Sequence, residues 1–358
     1  MVCDAFRVKS VLKERRVNGS VDLRPARWYS LSYVKTATGV TLMGEGFFDG
    51  VEQFEAFIGD KLVKSPTFYR DAASFTLILP ANLMALRRIL PDPRLVPAQV
   101  LPGVGAVMLT ALDYKDTDLG PYKEFSLGIA LNSPDFLQIP CYNFVRQALR
   151  GTFHSYIQQL PVTTEIALRG GVDLYNFPKF IARIDLDDDD GWTTCEVSEG
   201  DDLICRVKGR RVPTPRSGII KMISSTYQFQ QPQSCELKIN ANGYAMTAGR
   251  GNAELVVGES HPVARELSGL LLSTTPIAYT YVPNMEAILY GPEHLSLAAI
   301  GMFLERACGL SMDDLRALVE SRKAGKKAAG KKAGKKAAAK KSALQKAIDE
   351  AAGTLPEA

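Results

Sequence analysis

The chain has 358 residues, 46% hydrophobic and 23% charged, enough for one large domain or two ordinary ones and unlike a fibrous or mainly disordered protein. The net charge of +4 conceals an asymmetry: ten basic residues and no acid lie between Arg322 and Lys341, so the remainder stands at −6. No run of about 18 apolar residues exists, which excludes an ordinary membrane-spanning helix. Met1 to Val17 mixes Asp4, Arg7, Lys9, Lys13, Glu14, Arg15 and Arg16 among its apolar residues. That is not the unbroken apolar core of a secretory leader, and a cytosolic location is expected. Six scattered cysteines without a C-x-x-C pair suit reduced thiols. His154, His261 and His294 show no metal-ligand spacing, and their scarcity argues against Ser-His-Asp chemistry.

In chain order, residues 1 to about 65 predict a lead-in with a small strand or helix layer. From Ser74 to Leu289 short β-like runs dominate: Phe75–Leu79, Ala106–Leu112, Phe125–Leu131, Thr163–Leu168, Phe180–Leu186, Leu203–Val207, Ile219–Phe229, Cys235–Ile239, Ala253–Val257 and Ile277–Val282. Asp187 to Gly191 reads as an acidic hairpin turn rather than a calcium loop. Asn82 caps a helix carrying Leu83, Leu86 and Leu90 on one face, and His261 to Leu272 is a second helix. Many strands and few, scattered helices predict an α+β fold, mainly antiparallel β, with a closed or strongly curved barrel-like sheet. Leu295 to Val319 is helical in pattern. A Lys/Ala/Gly tract follows, and Ser342-Ala-Leu-Gln345 opens a last helix over Ala343–Ala352.

The chemistry-bearing block is Gly171-Val-Asp-Leu-Tyr-Asn-Phe-Pro-Lys179-Phe180. Apolar, aromatic surroundings disfavour an ammonium ion, and a neutral amine can attack a carbonyl to form a Schiff base. Read locally, the pattern favours a lysine that snorkels from a strand start with its stem over apolar surface.

The block resembles the active-site segment of the acetoacetate decarboxylase family, which reads Gly-x-Glu-Leu, three residues, then Pro-Lys-Lys. Gly171, Leu174, Pro178 and Lys179 match at the same spacing, and Asp173 stands for the Glu. Asp118-Leu-Gly-Pro-Tyr-Lys-Glu124 resembles the family's Gly-Leu-Gly-x-Tyr-x-Glu segment. Ala85 to Pro93, and Cys235-Glu-Leu followed by Leu255 to Pro262, extend the likeness in the right order. The resemblance implies Lys179 as Schiff-base nucleophile, Glu124 as general acid/base, and Arg70 and Phe180 as substrate-binding residues. It implies no metal and no organic cofactor. Two departures accompany it: Phe180 replaces the family's second lysine, and its second carboxylate falls near the apolar Met108 or Leu109.

The expected organisation is an N-terminal extension (1–65), a catalytic domain (66–294), a helical segment (295–320) and a basic tail with a short C-terminal helix (321–358). The expected function is decarboxylation of a β-keto acid, acetoacetate or a larger analogue, through a Schiff base on Lys179. The alternatives are a Schiff-base aldolase or dehydratase, and a non-catalytic ligand-binding barrel. Expected partners are the keto acid, non-specific nucleic acid or another polyanion at 322–341, and, by analogy with the family, further copies of the chain.

Overall fold

The structure, a computed structural model, describes residues 16–17, 20–21, 46–58, 61–228 and 231–291. Most of the N-terminal extension, the expected helices beyond 294 and the basic tract lie outside them. No helix among the described residues is long and apolar enough to cross a membrane. The chain divides into two units, 1–44 with 301–358, and 45–300. In the first, β1 (Arg16–Val17) pairs antiparallel with β2 (Ser20–Val21).

The second unit opens with a hairpin of β3 (Phe54–Ile58) and β4 (Lys61–Ser65), then β5 (Thr67–Asn82) and helix α1 (Leu83–Ile89). A short β6 (Gln99–Leu101) leads to β7 (Val104–Thr117), β8 (Tyr122–Leu131), α2 (Tyr142–Arg150), β9 (Thr152–Gln159) and α3 (Glu165–Tyr175). A meander of β10 (Arg183–Asp189), β11 (Trp192–Glu199) and β12 (Asp202–Arg210) follows. The described fold ends with β13 (Arg216–Gln228), β14 (Gln231–Ala248), β15 (Ala253–Val257), α4 (Pro262–Leu270) and β16 (Ala278–Leu289).

Seven strands close a barrel in the order β5-β16-β14-β13-β9-β8-β7, with β7 returning onto β5 from Tyr69↔Thr117 to Asn82↔Val104. Closure satisfies the edge hydrogen bonds an open sheet would leave exposed. The expected barrel-like α+β fold is present, but the sheet is mixed: β9 and β13 run parallel, and the other neighbours antiparallel.

A second antiparallel sheet, β10-β11-β12-β15, lies over the outer face of β5, β7 and β8. Phe75, Leu77 and Leu79, with Val107, Leu109, Phe125, Leu127 and Ile129, pack there against Ile184, Val197, Cys205, Val207 and Leu255. Side chains alternate along a strand, so Ala72, Ser74, Thr76, Leu112, Tyr114, Tyr122 and Glu124 turn into the barrel lumen. Asp189 to Trp192 is the expected hairpin turn, with Asp190 and Gly191 both at positive φ.

The caps follow the sequence: Asn82 Oδ1 accepts from Ala85 N–H at 3.0 Å, a bond worth about 1 kcal/mol. His261 caps α4 through Nδ1. Thr163–Leu168, expected as a strand, instead starts α3. Its β-branched run is too short to fix a period, and the tertiary fold continues it through Gly170-Gly171 to Tyr175. Helix α2 is inverted, burying Asn143 and Gln147 and exposing Tyr142, Val145 and Leu149. Its amides complete backbone bonds: Asn143 with Ser133 N–H (2.8 Å) and C=O (3.0 Å), Gln147 with Leu131 C=O (2.9 Å) and His154 N–H (2.7 Å).

Candidate active site

Lys179 reaches the lumen through a short ladder laid beside β8. Phe125 N–H donates to Pro161 C=O, and Glu124 bridges Val162. Next to that segment, and parallel to it, runs 178–182: Leu160 N–H donates to Pro178 C=O and Val162 N–H to Phe180 C=O. Helix α3 makes the connection. It stops at Asn176, which takes the left-handed conformation at φ 55 and returns its N–H to Val172 C=O, the cap at which Asn is a common substitute for Gly. Pro178 then forbids further helix. The Tyr175 hydroxyl, 3.0 Å from Thr67 Oγ1, ties the helix end to β5.

From that start the Lys179 stem crosses α3 at Gly171. A Cβ there would overlap Cδ and Cε of the lysine and stand 3.0 Å from Nζ. The glycine is the groove in which the lysine lies. Nζ ends 2.6 Å from Glu124 Oε2, with the two side chains 5% and 9% exposed. It also sits 5.6 Å from the centre of the Tyr122 ring, in the range where a cation is drawn to a ring face.

Three tyrosines surround the pair. The Tyr114 ring lies 4.4 Å from Tyr69 and 4.8 Å from Tyr122, centre to centre, and the Tyr69 and Tyr122 hydroxyls are 3.3 Å apart. All three are buried. Burial, and after it the negative charge of Glu124, raises Tyr69 and Tyr114 well above the usual phenol range. Burial does the same for Tyr122, with Tyr69 and then Glu124 adding to it. An open depression of about 490 Å³ is lined by Asp113, Lys115, Lys123, Thr163 and Ile184 among others, on the outward side of β7 and β8.

Lys179 and Glu124, singled out from separate stretches of sequence, are thus brought into contact. Phe180 and Arg70 are placed differently. The Phe180 ring turns to the outer face, packs on the core there and faces His261 at 6.5 Å. Arg70 lies in a bulge between Tyr69 and Ala72. The extra residue sends Tyr69 into the lumen and Arg70 outward, where Nη2 pairs with Asp118 Oδ1 at 2.6 Å. On β7 the lumen positions across from Glu124 and its neighbours are Met108, Thr110, Leu112 and Tyr114. Sequence reading missed Tyr69 and Tyr114. Tyr114 had a signal, since the Asp118–Gly120 turn makes it the cross-strand partner of Tyr122, but Tyr69 arrives only through barrel closure.

No curated protein matches the sequence. Solved structures with a similar fold include an acetoacetate decarboxylase from Legionella pneumophila (14% identity, 65% of this chain and 89% of that one, TM-score 0.46). The enduracididine biosynthesis enzyme MppR, complexed with pyruvate, shares 12% identity over 63% of this chain and 88% of its own (TM-score 0.44). An acetoacetate decarboxylase-like enzyme from Sphingomonas wittichii RW1 shares 15% over 64% and 92% (TM-score 0.40). The model of the acetoacetate decarboxylase (ADC) family matches residues 59–283, well over half of the sequence, and the chain belongs to that family.

Proposed function

We propose that the protein is a Schiff-base enzyme that decarboxylates a β-keto acid, with Lys179 as nucleophile and Glu124 as general acid/base. The observation that carries this is the buried pair, Nζ to Oε2 at 2.6 Å. Such a contact lets a proton pass from nitrogen to carboxylate, freeing the amine lone pair inside apolar walls. The amine attacks the ketone, its nitrogen passes one proton to the oxygen to give a carbinolamine, Glu124 returns the second, and water leaves an iminium on Lys179. The ammonium and ketone have become iminium and water, with no net proton gained or lost. The iminium withdraws electrons, the carboxylate departs as carbon dioxide, and the resulting enamine is protonated and hydrolysed. Arg70, held by Asp118, and Phe180, facing the outer core, take no part in these bond changes.

Borohydride trapping with acetoacetate and longer β-keto acids, followed by peptide mapping, tests the reading. A reduced adduct on Lys179 that disappears in Lys179→Ala, with carbon dioxide released by the wild type, is expected. No adduct with any compound would leave a ligand-binding barrel. An adduct without gas would fit the second reading, an aldolase or dehydratase. That reading is favoured by the absence of a carboxylate at Met108, Thr110, Leu112 and Tyr114.

The tract from Arg322 to Lys341 supports a separate activity, contact with nucleic acid or another polyanion without sequence preference. It holds no aromatic residue for base stacking. Deletion after Val319 is expected to abolish salt-sensitive DNA retention and leave carbonyl chemistry unchanged. A salt-independent gel shift would sink the idea.

A further inference from the structure

We propose that the paired hydroxyls of Tyr69 and Tyr122 form the donor site for the keto oxygen of the substrate, an inference that rests on the Schiff-base reading of Lys179. Two phenols carry two protons, and the 3.3 Å contact between them uses one. Among the described residues neither hydroxyl has a further hydrogen-bond partner, and both residues are buried, at 3% and 4% exposed. The pair therefore holds one unused donor proton where bulk water is excluded. Burial and the charge of Glu124 keep the phenols neutral, so that proton is retained.

The placement fits the chemistry. The ring of Tyr122 faces Nζ at 5.6 Å, and Nζ touches Glu124 at 2.6 Å, so amine and carboxylate lie beside the ring that carries one of the two hydroxyls. As the Nζ–C bond forms, the C=O electron pair moves onto oxygen, and that oxygen gathers negative charge. A fixed donor stabilises this charge more than it stabilises the neutral ketone. The attacking nitrogen gives that oxygen one proton to form the carbinolamine, and Glu124 supplies the second, with which it leaves as water.

The test is time-resolved borohydride trapping in the full chain, with acetoacetate and with acetone, which has no carboxylate. Tyr69→Phe, Tyr122→Phe and the double variant are compared, and near-UV circular dichroism and thermal melting report the fold. The double variant should slow adduct formation at least about tenfold with both ketones while keeping the native spectrum. Each single variant should lose less, because the remaining hydroxyl keeps its own proton. Wild-type rates in the folded double variant would overturn the proposal. So would a loss confined to acetoacetate, which would make the contact one with carboxylate. A wild type that traps neither ketone would remove the Schiff-base reading and this inference together, a result distinct from the other two.

Discussion

Lys179 crosses α3 so close to Gly171 that a methyl group on the glycine would occupy the space of the lysine's Cδ and Cε. Helix propensity alone makes Ala better than Gly inside a helix by about 1 kcal/mol. Against it, the lysine stem would have to shift away from its 2.6 Å contact with Glu124. Gly171→Ala should lower the melting temperature and reduce the Lys179 adduct by about tenfold or more, since a displaced nucleophile loses its near-attack geometry. A more stable and fully reactive Gly171→Ala protein would show that the stem has room to move.

The Lys179–Glu124 pair predicts strong non-additivity. Removing one partner leaves an uncompensated buried charge, at a cost of about 3–5 kcal/mol. Lys179→Met and Glu124→Leu should each destabilise in urea titrations by roughly that amount. The double variant, which buries no charge, should lose less than either single. Additive losses would mean that the two groups do not meet in solution.

Alkaline solution should unfold the protein cooperatively. Tyr69, Tyr114 and Tyr122 hold their protons well above the usual value of 10.0 in the folded state. The unfolded chain ionises first, so unfolding releases protons and stability falls as pH rises. Their contribution is complete below about pH 10 and is lost above it. Urea midpoints across this range, followed with tyrosinate absorbance, should show a class of phenols that titrates only on unfolding.

Among the described cysteines, Cys141 should be alkylated first in the native protein. It is partly exposed, whereas Cys195, Cys205 and Cys235 are buried. Burial pushes the thiols of Cys205 and Cys235 up to about 12, and Cys195 well above its ordinary value. Thiolate, the reactive form, is scarce at all three. Peptide mapping after brief maleimide treatment checks the order, and early label on Cys235 would contradict its burial.

Asp118 and Arg70 should differ although they are partners. Asp118 also accepts from Phe68 N–H at 2.9 Å and from the Gln53 amide at 2.5 Å. Asp118→Ala leaves the Phe68 N–H unpaired, while the Gln53 amide keeps its bond to Pro66 C=O, and should cost about 1–3 kcal/mol. Arg70 is 39% exposed, and Arg70→Ala should cost under about 1 kcal/mol. Its trapping rate should stay near that of wild type, and a large rise in KM for the keto acid would instead give Arg70 a substrate contact.

The meeting of Lys179 and Glu124 in the candidate site was legible because each sits in a compact linear motif, and a motif survives where periodicity is ambiguous. The strands of the barrel were legible for another reason, that short β-branched runs bounded by Gly, Pro and Asp have few other uses. The failures share a physical cause. Helix α2 reads as noise because its polar amides face inward to finish backbone bonds while its apolar side chains face out. Thr163–Leu168 resembles a strand locally, and only its place in the crossover makes it helical. Tyr69 gives no signal because a one-residue bulge on β5 decides which way it points.

The parallel pairing of β9 with β13 has a consequence for how the protein is born. Hairpins such as β7–β8 and β13–β14 can form between near neighbours, but strands that run the same way need a long crossover. Here that crossover carries α3, the Lys179 segment and the β10–β12 meander. Its closure entropy must be met before the pairing repays it, so the topology is a slow one. Within the barrel the Lys179 segment docks through the same crossover, which couples the placing of its amine to closure of the fold.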